Sequence, residues 1–187
     1  ATILKDATGP TVPEVQAWTW ALSSPANGAI SNDGTPVVDL SGAGAEETGT
    51  IQVYDDAVCS SPKGVIQAIT AGATTHADII YAVDGSQDGV KSFYVVATDP
   101  LGNASSCVDI SLNYTLDTTP PSVAITIAGD ITGANQASYS LSGSCSENGQ
   151  TVVVSVGGVS PGVQPTCSGG SWSVSGLDVS GIGDGVT

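Results

Sequence analysis

The chain of 187 residues carries 18 acidic and 3 basic side chains, a formal charge of −15. Such a field repels nucleic acid and anionic membrane, because binding through counterion release needs Lys and Arg; it attracts cations. With 24 glycines, 10 prolines and 11% charged residues, the composition suits many short strands joined by tight turns, and no long helical period is visible. The length fits two units of roughly 100 residues, each able to bury a core.

Residues 1–10 read as the end strand of a preceding repeat followed by a joint, A-T-I-L-K-D then A-T-G-P. The first full unit spans residues 11–117. A strand-like stretch runs through Pro13 to Leu22, where Val15, Trp18 and Trp20 supply large apolar surface. Asn32-Asp33-Gly34 is a turn, since Asn and Gly tolerate the left-handed region. A strand follows over Thr35 to Gly42 with Val38 and Leu40 on one face, then an acidic loop carrying Glu46 and Glu47. Further strands are expected at Thr50 to Asp55, Gly64 to Thr70, Ala77 to Val83, Val90 to Thr98 and Cys107 to Leu116. The turns between them include Asp84 to Gly89 and Asp99 to Asn103. About seven strands with turns every 8 to 12 residues predict an antiparallel β-sandwich.

The stretch Y-T-L-D-T-T-P-P-S-V, Tyr114 to Val123, is the second joint. Pro120 and Pro121 remove two backbone donors and fix φ, so no strand ladder continues through them. Asp6 and Asp117 of the two joints lie roughly 110 positions apart, the size of one small domain. Residues 118–187 form the second unit, with strands expected at Val123 to Ile127, Ala137 to Cys145, Thr151 to Val156 and Ser171 to Leu177. It has no counterpart of Val90 to Leu116. The expectation is that the parent protein continues or that another chain supplies those strands.

Cys59 and Cys107 fall in the first unit, Cys145 and Cys167 in the second. An even number divided by unit, with no C-x-x-C spacing, predicts one disulfide in each and an oxidising compartment. Four buried thiols are the alternative. No membrane-length apolar run, signal peptide or lipidation motif is present, so the expectation is a soluble excerpt of a longer exported protein. His76 is the one histidine and has no cysteine or second histidine near it in sequence; no nucleophile elbow or phosphate loop accompanies it, and no catalytic residue is assigned. Trp18, Trp20 and Trp172 suit a sandwich core first and a glycan platform second.

Three segments carry a resemblance: Tyr114 to Pro121 at the joint, Ala97-Thr98-Asp99-Pro100-Leu101-Gly102-Asn103 before a last strand, and Ser142 to Gly149 followed by Val152 to Val156. On these the chain resembles the bacterial Ig-like repeats of large cell-surface and secreted adhesin-type proteins. The resemblance implies tandem Ig-like β-sandwiches outside the cell, acting without catalysis as stalk or spacer repeats. Partners would be neighbouring repeats and a surface or matrix ligand. Two alternatives stand beside it: a fibre subunit joined by strand complementation between chains, and a glycan-binding accessory module.

Such repeats also bind Ca²⁺ at their joints. In a seven-strand sandwich, Asp6, Glu46, Glu47, Asp99 and Asn103 would gather at the end where the chain enters. Asp33, Asp84, Asp88 and Asp117 would gather at the other end, with Glu147 of the second unit nearby. Ca²⁺ takes six to eight oxygen ligands, and carboxylates brought together without a cation repel. The plainer reading is that Asp, Asn and Gly occupy turns for backbone reasons.

Overall fold

The computed structural model describes residues 8–9, 12–41, 49–70, 73–183 and 185. The chain divides into two compact units, Ala1–Thr119 and Pro120–Thr187. In the first, a helical turn α1 (Val12–Ala17) leads into β1 (Thr19–Ser24), β2 (Ile30–Ser31), β3 (Val37–Ser41) and β4 (Gly49–Tyr54). β5 (Pro62–Ile69), β6 (Thr75–Asp78), β7 (Gly89–Thr98) and β8 (Val108–Leu116) complete it. One sheet has the order β1-β3-β6, the other β2-β8-β7-β4-β5. All pairs are antiparallel except β2 with β8, where Ile30 lies beside Thr115 and Ser31 beside Leu116. This is the strand order of an immunoglobulin-like sandwich.

Period-two alternation places the core. Val38 and Leu40 of β3, Ile51 and Val53 of β4, and Phe93, Val95 and Ala97 of β7 all point inward. So do Val108, Ile110, Leu112, Tyr114 and Leu116 of β8. Each large aliphatic side chain fully buried in this way contributes about 1.5–3 kcal/mol.

The structure corrects two readings in this unit. The expected strand from Pro13 begins only at Thr19, because Val12–Ala17 is helical. Pro13 falls in the first turn, where a missing donor costs nothing. Val15 and Trp18, both buried, are spaced by three, as a helix requires. The strand expected over Ala77 to Val83 ends at Asp78. Ile79 and Tyr81 keep the alternation and are buried, and their amides donate to Pro36 O (3.0 Å) and Gly34 O (2.7 Å). Pro36 has no N–H to return, so no two-way ladder forms.

The second unit contains β9 (Val123–Ala128), a 3₁₀ turn (Gln136–Ser138), β10 (Tyr139–Cys145) and β11 (Ser171–Leu177), in the sheet order β11-β10-β9. Its core joins Tyr139, Leu141, Val152, Val154, Cys167, Trp172, Val174, Leu177 and Val179. Gly143 lets the strands close up: a Cβ there would meet Ala124 O at 1.9 Å and the Trp172 ring at 2.6 Å.

Thr151 to Val156 is again alternation without a ladder. Val152 and Val154 are buried, but Thr151 makes only an isolated bridge to Thr166. The Val152 amide donates to Pro165 O, and Gln164 then replaces backbone with side chain. Its Oε1 accepts from Val154 N at 2.7 Å and its Nε2 donates to Val154 O at 3.3 Å.

Candidate functional site

The two expected disulfides are formed. Cys59 pairs with Cys107, Cα atoms 5.7 Å apart, and Cys145 with Cys167, 6.0 Å apart. Each lies within one unit, an arrangement compatible with an oxidising compartment.

The turn carboxylates follow one local rule. Asp33, Asp56, Asp84, Asp99, Asp109 and Asp178 each accept the amide of the residue two positions on, at 2.7–3.1 Å. Asp117 does so at 3.3 Å, from Thr119. This is the Asx turn, in which the side chain stands in for a backbone carbonyl. Where the third residue is Ser or Thr, its hydroxyl often adds a bond, as Thr35 does to Asp33 at 2.8 Å and Ser86 to Asp84.

Of the set expected where the chain enters, Asp6, Glu46 and Glu47 lie outside the described residues. Asp99 is turned into its own loop, accepting from Leu101 N, Asn103 N and the Asn103 side-chain amide. Of the other set, Asp33 also accepts from the Ser24 hydroxyl at 2.7 Å. Asp88 accepts from Thr118 N (3.0 Å), the Thr118 hydroxyl (2.7 Å) and the Thr119 hydroxyl (2.7 Å), tying the last residues of the first unit back onto it. Glu147 is half-buried in the second unit, beside Asn148, whose Oδ1 accepts from Gly170 N. Among the described residues no three His, Cys, Asp or Glu side chains converge as a metal would require.

These bonds favour the ionised carboxylate. The Thr118 and Thr119 hydroxyls hold Asp88 below its ordinary value of 3.8, and the Asn103 amide does the same for Asp99. Ser24 and Thr35 lower Asp33, Ser86 lowers Asp84, the Ser60 and Ser61 amides lower Asp56, and Ser180 lowers Asp178. A depressed folded pKa contributes stability above the unfolded value, and that stability is lost as pH falls through the folded one. The charge of −15 works the other way, since partial protonation relieves repulsion first. Melting temperature is therefore expected to hold or rise on acidification toward about pH 4 and to fall below it. Added salt, which screens the repulsion, should flatten the rise and leave the fall. A melting series by circular dichroism at low and high salt reads both arms.

Sequence reading missed a cationic cluster. Lys63 Nζ lies 3.3 Å from Asp55, and Lys63 and Lys91 sit 5.6 and 4.9 Å from the Tyr81 ring centroid. Two of the three basic residues thus meet at one ring. Burial, and secondarily Asp55, push the Tyr81 hydroxyl pKa strongly up. His76, exposed on β6, has Nδ1 2.6 Å from Asp39 across the β3 pairing.

Trp18 and Trp172 are buried, as a core reading expects, while Trp20 is only half-buried. Trp20 Nε1 donates to Val15 O at 3.0 Å, and its ring centroid is 6.2 Å from that of Trp18. Together with Gln16, Asp109, Ile110 and Ser111 these two rings line a cleft of about 280 Å³.

No family model matches the chain, and no curated protein does. A solved structure similar to it is that of fibronectin(III)-like modules of CbhA from Clostridium thermocellum. It is 14% identical, with a TM-score of 0.36, covering 84% of this chain and 77% of that one. The strand order itself, β1-β3-β6 against β2-β8-β7-β4-β5, and not that likeness, makes the first unit an immunoglobulin-like sandwich.

Proposed function

We propose that this chain is a non-enzymatic structural segment of an extracellular bacterial surface protein, an Ig-like sandwich followed by a second, incomplete one, acting as stalk or spacer repeats in adhesion. The observation that carries the reading is that each unit has its own core and its own internal disulfide. A module so built keeps its length when its ends are pulled.

Single-molecule pulling from the two ends tests it. Two separate unfolding steps are expected. The first unit's extension should fall short by roughly 160–170 Å, the reach of the 48 residues closed by Cys59–Cys107. Reductant should restore that length. Extension without resolved steps would count against a load-bearing spacer.

A second reading, assembly by strand complementation, has one observation in its favour. Val123, Ile125 and Ile127, at alternate positions of the edge strand β9, are 60%, 62% and 66% exposed. Beside them opens a cleft of about 310 Å³ lined by Leu141, Val152, Val154 and Trp172. An extended segment of a second copy would pair along β9 and set alternate apolar side chains over that cleft. The segment the sequence offers is Ala1 to Asp6, outside the described residues. Under this reading, light scattering behind size exclusion shows concentration-dependent oligomers that Ile125→Lys abolishes. A monomer at every concentration removes it.

A further inference from the structure

We propose that the cleft between the end of α1, the start of β1 and the bulge in β8 is a binding site for a single ring of a neutral polysaccharide. One wall is aromatic and the other polar. Trp18 and Trp20 form the first; Asp109 and Ser111, with Gln16 beside them, form the second.

The polar wall is built at an irregularity in the β7–β8 pairing. Along the β7–β8 pairing, Ser92 faces Asn113 and Tyr94 faces Asp109, so three residues of β8 bulge out opposite Phe93 alone. At the centre of the bulge Ser111 has φ 57°, a left-handed conformation that is strained for a residue with a Cβ. Neither Gly nor Asn stands there to relieve it. Asp109 Oδ1 holds the bulge by accepting Ser111 N at 2.7 Å. Bulges re-aim side chains, and backbone strain of this kind collects at binding sites. Here the effect is to place two exposed polar side chains, Asp109 and Ser111, beside an aromatic pair.

The aromatic wall is fixed in turn. The bond from Trp20 Nε1 to Val15 O uses the ring's one polar atom on the protein, so what Trp20 offers a ligand is apolar ring surface. Asp109 Oδ2, the Ser111 hydroxyl and the exposed Gln16 amide accept or donate no bond within the protein among the described residues. Apolar ring surface flanked by an unpaired carboxylate oxygen, a hydroxyl and an amide matches a pyranose, whose C–H face is apolar and whose rim is hydroxylated. The volume, about 280 Å³, is at the small end of ligand sites and suits one ring rather than an oligosaccharide groove. Asp109 and the net charge of −15 select against uronic, sulfated or sialylated sugars.

The test is titration of the intact chain with cellohexaose, maltohexaose and chitohexaose, and with polygalacturonate as the anionic probe. Tryptophan fluorescence and saturation-transfer NMR supply the readouts. A saturable response to at least one neutral oligosaccharide and none to polygalacturonate is expected. Trp20→Ala should weaken binding about tenfold or more. Because that change also removes packing, Gln16→Ala is the second variant; it should lower affinity with the melting temperature unchanged. No saturable response to any neutral probe, or equal affinity in both variants and the native chain, would overturn the site. Neither result bears on the spacer reading, which is read by force.

Discussion

Tyr114→Ala is expected to destabilise the first unit by about 3–5 kcal/mol, the range for truncating a buried aromatic, while Tyr114→Phe should cost about 1 kcal/mol. Tyr114 is fully buried on β8, its ring stacked on Phe93 with centroids 6.2 Å apart and planes 12° from parallel. Its hydroxyl donates to Asp33 O at 3.0 Å. That residue's carboxylate in turn organises the turn before β3 through Ser24 and Thr35. One side chain therefore ties the last strand of one sheet to a turn feeding the other. Removing the ring opens a cavity and cuts the tie; removing the hydroxyl only cuts the tie. Urea unfolding with unchanged slope measures both, and equal losses in the two variants would mean that the ring does not fill the core as described. Burial also pushes the Tyr114 pKa up to about 12. A raised folded value contributes stability that is complete below the unfolded value near 10 and lost as pH rises through the folded one. The alkaline loss should therefore be smaller in Tyr114→Phe.

The parts of the fold that were legible are those where alternation and laddering coincide. β4, β7 and β8 read as strands because Ile51 and Val53, Phe93, Val95 and Ala97, and Val108 to Leu116 are both apolar at every second position and paired on the sheet. Ile79 and Tyr81, and Val152 and Val154, read the same way and are buried the same way, yet they are not strands. Periodicity reports which side of the chain faces the core. Whether the backbone pairs depends on the segment opposite, and there Pro36, Pro165 and the Gln164 side chain interrupt the exchange of donors. That information lies far away in sequence. At Val12–Ala17 the error was one of period, since Val15 and Trp18 carry a spacing of three that a strand cannot use.

The site was legible to a smaller extent. Dividing four cysteines between two units was enough to pair them. The carboxylates were visible as turn residues. Asp33-Gly-Thr35, Asp84-Gly-Ser86, Asp109-Ile-Ser111, Asp117-Thr-Thr119 and Asp178-Val-Ser180 share the form D-x-S/T, but so does Asp39-Leu-Ser41 inside β3, so the pattern alone does not announce the turn. What topology could not supply was the direction in which each carboxylate points: Asp33, Asp84, Asp109 and Asp178 turn to amides two residues on, whereas Asp88 turns to Thr118 and Thr119. The tie from Asp88 to Thr118 and Thr119 joins positions 30 and 31 apart, and no local pattern announces it. The β8 bulge is silent for a different reason. A left-handed residue is ordinarily signalled by Gly or Asn, and here the position holds Ser111.

Removing the Cys145–Cys167 bond, by reduction or by Cys145→Ala with Cys167→Ala, is expected to unfold the second unit at room temperature and leave the first folded. On loop length alone the order would be reversed. Closing the 48-residue loop of the first unit removes about 4 kcal/mol of unfolded-state entropy, and closing the 22-residue loop of the second about 3 kcal/mol. The cores decide otherwise. The first unit packs two sheets over Tyr114, Phe93 and seventeen other buried residues. The second has roughly 70 residues, a size at which a core rarely supplies more than about 3–5 kcal/mol. Its three-stranded sheet leaves β9 exposed along its whole length, so a loss of about 3 kcal/mol takes most of what holds it. Cys167 is itself part of that core, 2% exposed, so its replacement removes packing as well as the crosslink. Hydrogen exchange resolved by peptide, with and without reductant, separates the units: protection across Tyr139–Cys145 and Ser171–Leu177 should vanish while that across Gly89–Thr98 persists. Protection surviving in β10 and β11 after reduction would show that packing around Trp172 and Leu141 is sufficient without the bond.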